Sequence, residues 1–398
     1  MFIKQHQLII YLFIYSISLC SATEEDSPFR VHGFVSQSYI YTDHNNFFGD
    51  QNGNGSLDFR EIGFNTSYRM LPQLRFSGQV LSRNAGHVND SDPRIDYALM
   101  DYRAIDNTNI NAGIRAGRVK IPIGFYNDTR DVAHTRNGIL LPQSVYIASL
   151  RDMFLAADGG SLYMNNSSDF GNVGFSYHSG NPVISKEGKT ELEYILLTVN
   201  DPGNFEAEPF ELYRLDYTSI NERFRLAWTR AEVDFRYVSA PNSIIPPGNI
   251  SILANIYSMQ FNLNKFDFTI EYMDGMNTIS NFSPVIPNQT VNSQRYYYQI
   301  DYHFIEKWNL YLRFDHTHKN KDDPMGKKYA QQTGKPAHTQ FAMDRTIGLR
   351  WHHSTNMMFG FEYHIIEGTG WLSPQENPDP TKTKKDWNML MLQAAYRF

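Results

Sequence analysis

Hydrophobic side chains recur at every second position, in runs of about 8–10 residues, along nearly the whole chain. In Arg295–Phe304 one row is Tyr296, Tyr298, Ile300, Tyr302 and Phe304, and the other is Arg295, Tyr297, Gln299, Asp301 and His303. Trp308, Leu310, Leu312 and Phe314 stand against Asn309, Tyr311, Arg313 and Asp315. Phe359, Phe361, Tyr363 and Ile365 stand against Gly360, Glu362 and His364. Successive side chains on a strand point to opposite faces, so this pattern builds strands with one apolar and one polar face. The row in Arg223–Tyr237 changes phase, from Phe224, Leu226 and Trp228 to Val233, Phe235 and Tyr237. The expectation there is a bulge or a strand end near Thr229–Glu232.

The connections fall into two alternating classes. Short ones are expected near Pro72, Asp106–Asn107, Asn166–Asp169, Ile220–Glu222, Asn264–Lys265, Glu306 and Ser354–Thr355. Long ones run through 42–57, 84–93, 120–158, 180–207, 240–249, 276–292, 318–340 and 367–385. Glu191–Val199 also alternates, but counting it as a strand breaks parity, so it is assigned to a long loop. The result is an all-β, transmembrane antiparallel β-barrel of 16 strands, with 14 and 18 the neighbouring solutions. Short turns face the periplasm and long loops face outward.

Composition separates this from the alternatives. The 398 residues include 14% aromatics and 41% hydrophobics, with a mean hydropathy of −0.47. A helical membrane protein needs repeated apolar runs of about 20 residues. The nearest approach here is Leu8–Cys20. So many aromatics also exclude disorder. A soluble β-sandwich could share the alternation, but rows rich in Tyr, Trp and Phe towards strand ends suit interfacial girdles better than a close-packed core. Lys4, the Leu8–Cys20 run and Ser21-Ala22 read as a secretory signal over residues 1–22, leaving 23–398 as one barrel domain without cysteine. With 36 basic against 42 acidic residues, no nucleic-acid partner is expected.

The last stretch, Trp387–Phe398, alternates Leu390, Leu392, Ala394 and Tyr396 and ends on an aromatic. It resembles the C-terminal signal by which Gram-negative outer-membrane barrels are recognised for assembly. The chain as a whole resembles 16-stranded Gram-negative porins, and among them the phosphate-selective porin O/P-like group. Val31–Tyr39, Gly117–Tyr126 and the terminal Phe398 carry that resemblance. It implies residence in the cell outer membrane among lipid and lipopolysaccharide, assembly by the barrel assembly machinery, a homotrimer and passive diffusion of small hydrophilic solutes. It also implies a third long loop that folds into the lumen and sets the constriction.

That loop is Lys120–Asp158, and Lys120, Arg130, Asp131, Arg136, Arg151 and Asp152 are its candidate constriction charges. Charged rings at a narrowing filter ions by sign. The alternation further points Arg75, Arg115, Arg214, Arg225, Glu271, Asp301, Arg313, Asp315, Arg350 and Glu362 into the lumen as candidate pore-lining groups. Both signs are present, so the sign of selectivity stays open. An adhesin-like, non-conducting surface barrel is the alternative, with a barrel hydrolase behind it.

Asp50, Asn52, Asn54, Ser56, Asp58 and Glu61 match the oxygen-ligand spacing of a calcium loop, with Gly55 at the sharp turn. Strand-like flanks in place of helices favour a plain Asn/Gly-rich turn; calcium, if bound, would occupy a helix-free surface site. No other cofactor is expected. His-Glu-x-x-His and Gly-x-Ser-x-Gly signatures are absent, and Asp301/His303 and Glu362/His364 read more simply as wet ion pairs than as a catalytic base. The chain is therefore expected not to be an enzyme.

Overall fold

The computed structural model describes residues 27–51, 53–195 and 201–398. The expected signal segment, Asn52 and residues 196–200 are outside the described residues. The strands are β1 (Phe29–Thr42), β2 (Ser56–Leu71), β3 (Leu74–Ala85), β4 (Arg94–Asp106), β5 (Ile110–Lys120) and β6 (Ala156–Ser168). Next come β7 (Gly171–Pro182), β8 (Asn204–Ala207), β9 (Phe210–Thr218), β10 (Phe224–Val238), β11 (Gly248–Leu263) and β12 (Phe266–Ser280). The last five are β13 (Gln289–Ile305), β14 (Trp308–His318), β15 (Phe341–His352), β16 (Met357–Gly368) and β17 (Asp386–Arg397). β8 and β9 both pair with β10, at Phe235–Val238 and Arg225–Glu232 respectively. They form one stave, broken beside Pro209, which has no N–H to give to a ladder. The barrel therefore has 16 positions, with antiparallel neighbours all round.

Closure runs through β1 and β17, which pair from Phe34 with Arg397 to Thr42 with Met389. Phe398 extends the ladder by one residue. Its amide donates to the Gly33 carbonyl at 3.0 Å and its carbonyl accepts from the Gly33 amide at 3.1 Å. The Phe398 ring occupies the space where a Cβ on residue 33 would project, so this position takes glycine.

Every short turn and long loop falls where the alternation placed it. The long connections are L1 (43–55), L2 (86–93), L3 (121–155), L4 (183–203), L5 (239–247), L6 (281–288), L7 (319–340) and L8 (369–385). L3 contains helix α1 (Arg151–Leu155), L4 contains α2 (Lys186–Ile195) and L7 contains α3 (Lys327–Thr333). The alternating segment from Glu191 thus begins inside a helix of L4, not a strand. Among the described residues no helix is long and apolar enough to cross a membrane, which says nothing of crossing by strands.

Outward rows carry the apolar side chains. Phe64, Leu162, Leu312, Ile365 and Leu392 are all exposed, as a lipid-facing belt requires. The phase change in β10 has a different cause from the bulge expected. Its register with β11 runs unbroken from Phe224 to Tyr237. Near the short-turn end Leu226 faces outward. Towards the loops, Val233, Phe235 and Tyr237 are buried inward, and Arg236 reaches Glu206 on the outside at 2.6 Å. The strand rises out of the lipid belt, so water takes its outer face and packed loops take its inner one.

A Gly33→Val substitution should displace the Phe398 ring and weaken closure by about 1–3 kcal/mol. The check is the temperature at which the folded barrel loses its fast electrophoretic mobility. An unchanged temperature would show that the ring does not need this space.

Candidate functional site: an inward loop and an off-centre cavity

L3 turns into the lumen because its own sequence cannot remain in water. Ile139, Leu140 and Ala148 are buried beside Ile40, Phe48, Met389 and Met391. Leu141, Val145 and Tyr146 are buried beside Phe235, Ile256 and Tyr297 on the other side. An irregular backbone buried this way needs partners for its polar groups.

The barrel wall supplies them. Glu362 on β16 accepts from the Ile139 and Leu140 amides at 2.9 and 3.1 Å. Asp315 on β14 accepts from Gln143 and Ser144 at 2.5 and 3.2 Å. Glu271 on β12 accepts from Phe125 at 2.9 Å and from the Tyr146 hydroxyl at 2.6 Å. In the other direction, Arg313 donates to the Leu140 carbonyl at 2.9 Å and Gln299 to the Asn137 carbonyl at 2.7 Å. Arg350 donates to the Arg136 carbonyl and approaches Asp301 at 3.5 Å.

So Glu271, Asp301, Arg313, Asp315, Arg350 and Glu362 all point inward as the alternation requires. Instead of facing open lumen, however, all but Asp301 hold L3 directly, and Asp301 is buried among Gln299, Asn309 and Arg350 of the wall. Arg225 lies over the Phe125 ring, 4.8 Å from its centroid. His364, two residues from Glu362, is fully buried between Asp344 at 2.8 Å and Glu362 at 3.2 Å, with no open space for a substrate. His303 pairs with Asp267 at 2.8 Å, not with Asp301.

The candidate constriction charges form a second, buried network. Arg151 contacts Asp131, reaches Asp96 of β4 at 3.4 Å and holds Asp152 at 2.7 Å. Lys120 bridges the same two acids, Asp131 at 2.6 Å and Asp96 at 3.2 Å. Asp152 also contacts Arg94. Arg136 pairs with Glu61, which Arg83 approaches at 3.6 Å. Arg130 donates to Asn127 and to the Tyr146 carbonyl, both at 3.1 Å. Arg130, Asp131, Arg136 and Arg151 are all buried: Asp131, Arg136 and Arg151 fix L3 to the β2–β5 wall, whereas Arg130 braces L3 internally.

An open cavity of about 520 Å3 lies on that side, between L3 and the β2–β9 wall. It extends from Arg75 and Asp216, beside the short turns, to Lys120 and Gln79 near the loop end. Of the sixteen predicted constriction and lining residues, Lys120, Arg75, Arg115 and Arg214 border it. Arg115 holds Asp101 at 3.3 Å, Tyr163 donates to Asp101 at 2.7 Å, and Arg214 holds Asp216 at 3.3 Å. Arg75 stands opposite Arg69 across the β2–β3 ladder, with Arg103 nearby beside a small cleft. Like charges in register destabilise a sheet. Arg103 is paired with Asp106 at 3.0 Å, so Arg69 and Arg75 are the like charges that meet in register at the short-turn mouth.

Several of these groups escape a period-two reading. Asp96 sits where the β3–β4 register shifts, between Val80↔Ile95 and Gln79↔Tyr97, so it turns inward out of phase with Asp101. Gln79 and Arg83 are in phase with Arg75 on β3, and alternation alone could have found them; Tyr163 and His178 lie on β6 and β7, where no residue was singled out.

The calcium-like loop has other partners. L1 packs under L8. Glu376 of L8 accepts from the Phe48 and Gly49 amides at 2.9 and 2.7 Å, and Asn377 accepts from the Asn46 amide at 3.0 Å. Asp50 lies 3.8 Å from His87, Ser56 accepts from the Asp58 amide at 2.9 Å, Asp58 accepts from Asn84 at 3.4 Å, and the Asn54 carbonyl accepts from Tyr39 at 3.0 Å. Glu61 is on the lumen face with Arg83 and Arg136. Among the described residues no group of three or more His, Cys, Asp or Glu side chains could hold a metal ion.

Two tests follow from the two clasps. Glu362→Ala leaves Arg313 buried without its carboxylate and two loop amides without an acceptor, a loss of about 3–5 kcal/mol. Amides 139–144 should then exchange hydrogen markedly faster; unchanged exchange would deny Glu362 its anchoring role. For Glu376, burial raises the pKa to about 7 although backbone amides favour its anion. From its ordinary value up to about 7 the folded state keeps a proton that the unfolded chain has released. The L1–L8 clasp should therefore weaken as pH rises through that window, by up to about 3 kcal/mol. Thermal unfolding of wild type and Glu376→Gln at both ends of the window checks this, the variant having the shallower pH dependence.

No protein-family model and no curated relative matches the chain. Solved structures do. The outer membrane channel DcaP of Acinetobacter baumannii aligns at TM-score 0.57 and 13% identity over 93% of this chain and 97% of that one. OmpF of Salmonella typhi, in complex with daunomycin, aligns at 0.56 and 11% over 93% and 97%. OmpT, an outer membrane protein of Vibrio cholerae, aligns at 0.56 and 10% over 95% and 99%. At such identities the likeness is one of fold: a 16-strand outer-membrane barrel of porin type.

Proposed function

We propose that the protein is an outer-membrane porin whose aqueous path runs off-centre, along the β2–β9 wall. The carrying observation is the division of the lumen. Polar groups of β10–β17 are buried against L3, whereas Arg75, Arg115, Tyr163, Ser176 and Arg214 face an open cavity extending along most of the strand length. A water-filled gap lined by charges on one side and a fixed loop on the other passes small hydrophilic solutes by diffusion and filters them by size and sign. Arg69 and Arg75, opposed across the β2–β3 ladder at the short-turn mouth, are the groups that this reading takes to favour anions. Preference for phosphate in particular, as the porin O/P-like resemblance implies, is the finer form of this reading. A homotrimer, and assembly by the barrel machinery through Phe398, belong to the same proposal. So does the lack of an enzymatic role, since the Glu362–His364 pair is already engaged with Asp344 and L3.

One observation favours a second reading, a non-conducting surface barrel. L3 is anchored to the wall from β2 to β16 at so many points that it could act as a plug.

Planar-bilayer recording separates the two. The porin reading expects steady ohmic steps, and a salt gradient should give a reversal potential of anion-selective sign. Deletion of Gly138–Ala148 should raise conductance severalfold. A wild-type protein that passes no current while the deletion variant conducts would establish the plug instead.

A further inference from the structure

Among the described residues some outward charges of the barrel have no ion-pair partner. Arg345 on β15 faces outward, in register between Phe314 on β14 and Ile365 on β16. The row nearer the short turns is Leu312, Ile347 and Tyr363; the row nearer the loops is His316, Met343 and Glu367. Leu312, Ile347, Tyr363 and Ile365 are exposed and belong to the lipid-facing belt. Tyr296 of β13 stacks on His316 at 5.0 Å, with its hydroxyl 3.3 Å from Nδ1, and His318 lies beyond with its ring 6.5 Å away. Aromatic residues at this height mark the boundary between acyl chains and headgroups.

Arg345 is exposed and makes no hydrogen bond or ion pair with any described residue. Three other outward arginines are paired. Arg118 holds Asp158 at 2.7 Å, Arg230 holds Glu232 at 3.6 Å and Arg236 holds Glu206 at 2.6 Å. Glu367, the outward carboxylate diagonal to Arg345, is taken by Lys385 at 2.9 Å. An unpaired guanidinium bordering hydrocarbon is expensive unless it reaches an anion at the interface.

We infer that this part of the β13–β16 wall is a binding site for an outer-leaflet lipid carrying a phosphate headgroup. Arg345 takes the phosphate through its planar fork, His316 and Tyr296 border it, and an acyl chain lies along Leu312, Phe314, Ile347 and Ile365. Guanidinium and phosphate match in geometry as well as charge. The polar group sits above the apolar rows in the order a lipid presents them. The site rests on the barrel's place in the membrane and not on whether it conducts.

The test uses the full chain in neutral detergent, with purified lipopolysaccharide as probe and dephosphorylated lipopolysaccharide and inorganic phosphate as comparisons. Native mass spectrometry counts bound lipid, and the thermal midpoint follows it. Lipopolysaccharide should bind the wild type and raise its midpoint. Arg345→Gln should weaken binding about tenfold, and Arg345→Lys, which keeps the charge without the fork, should fall between. Heat-modifiable mobility confirms that each variant is folded.

Equal binding by wild type and Arg345→Gln would overturn the site, as would equal binding of the dephosphorylated lipid. A full midpoint shift from inorganic phosphate alone would assign the patch to a free anion and overturn the lipid. If Arg345→Gln changes the oligomeric state while lipid binding is untouched, a second copy of the chain covers this wall and the lipid proposal fails.

Discussion

The structure depends first on the pairing of β1 with β17. Within hydrocarbon no water is available to an unpaired amide or carbonyl, so a sheet spanning a membrane has to close on itself. An edge left open on either strand would leave a column of polar groups in lipid. The reciprocal bonds between Phe398 and Gly33 complete this seam at its last residue. The absence of a side chain at residue 33 lets the terminal ring lie flat there. Seam, ladder register and outward apolar rows all follow from the single requirement that the backbone be satisfied and the hydrocarbon be met by hydrocarbon.

The same requirement acts a second time inside the barrel. A long loop entering the lumen leaves water without forming a ladder of its own, and its amides and carbonyls must find partners singly. The wall meets them with carboxylates for the amides and with guanidinium or amide groups for the carbonyls. Glu271, Asp315 and Glu362 act on one side; Gln299, Arg313 and Arg350 act on the other. Buried charges are costly when alone and tolerable when closely paired and hydrogen-bonded. That is why these residues occur in compact groups such as Arg151–Asp131–Lys120–Asp96. Charge inside a barrel can therefore anchor a loop as readily as it can face a solute.

This distinction explains what was legible in the sequence and what was not. Strand existence, strand count and the short-long rhythm of connections were readable because a period of two and turn chemistry are local properties. The direction of each lumen charge was readable for the same reason: Arg75, Arg115, Arg313 and Glu362 all face inward. What covers them was not readable, because that depends on where a distant loop comes to rest. Asp96 was invisible because a register shift breaks the phase at that residue. In β10 the phase change is a change of surroundings along one unbroken strand, from lipid outside to packed loops inside. A pattern that tracks only which residues are apolar cannot tell a bulge from a strand leaving the membrane. The described part of the alternating stretch, Glu191–Ile195, belongs to helix α2 of L4, where the alternation has no strand to report.

The division of the lumen also sets the character of the remaining path. L3 takes its anchors from β10–β17 and from β2–β5, and its bulk occupies the first of these sides. The gap left over is bordered by a wall whose carboxylates, Asp101 and Asp216, are already held by Arg115 and Arg214. Neutralised pairs contribute little net field, so the sign of the path is set by the groups left over. At the short-turn mouth those are Arg69 and Arg75, opposed in the ladder, whereas Arg103 is paired with Asp106. Nothing in the apolar rows or the closure of the barrel requires two guanidinium groups to face each other there. Like charges opposed in a ladder cost stability, so under the porin reading proposed above this mouth, more than the loop-filled centre, is where charge would be discriminated.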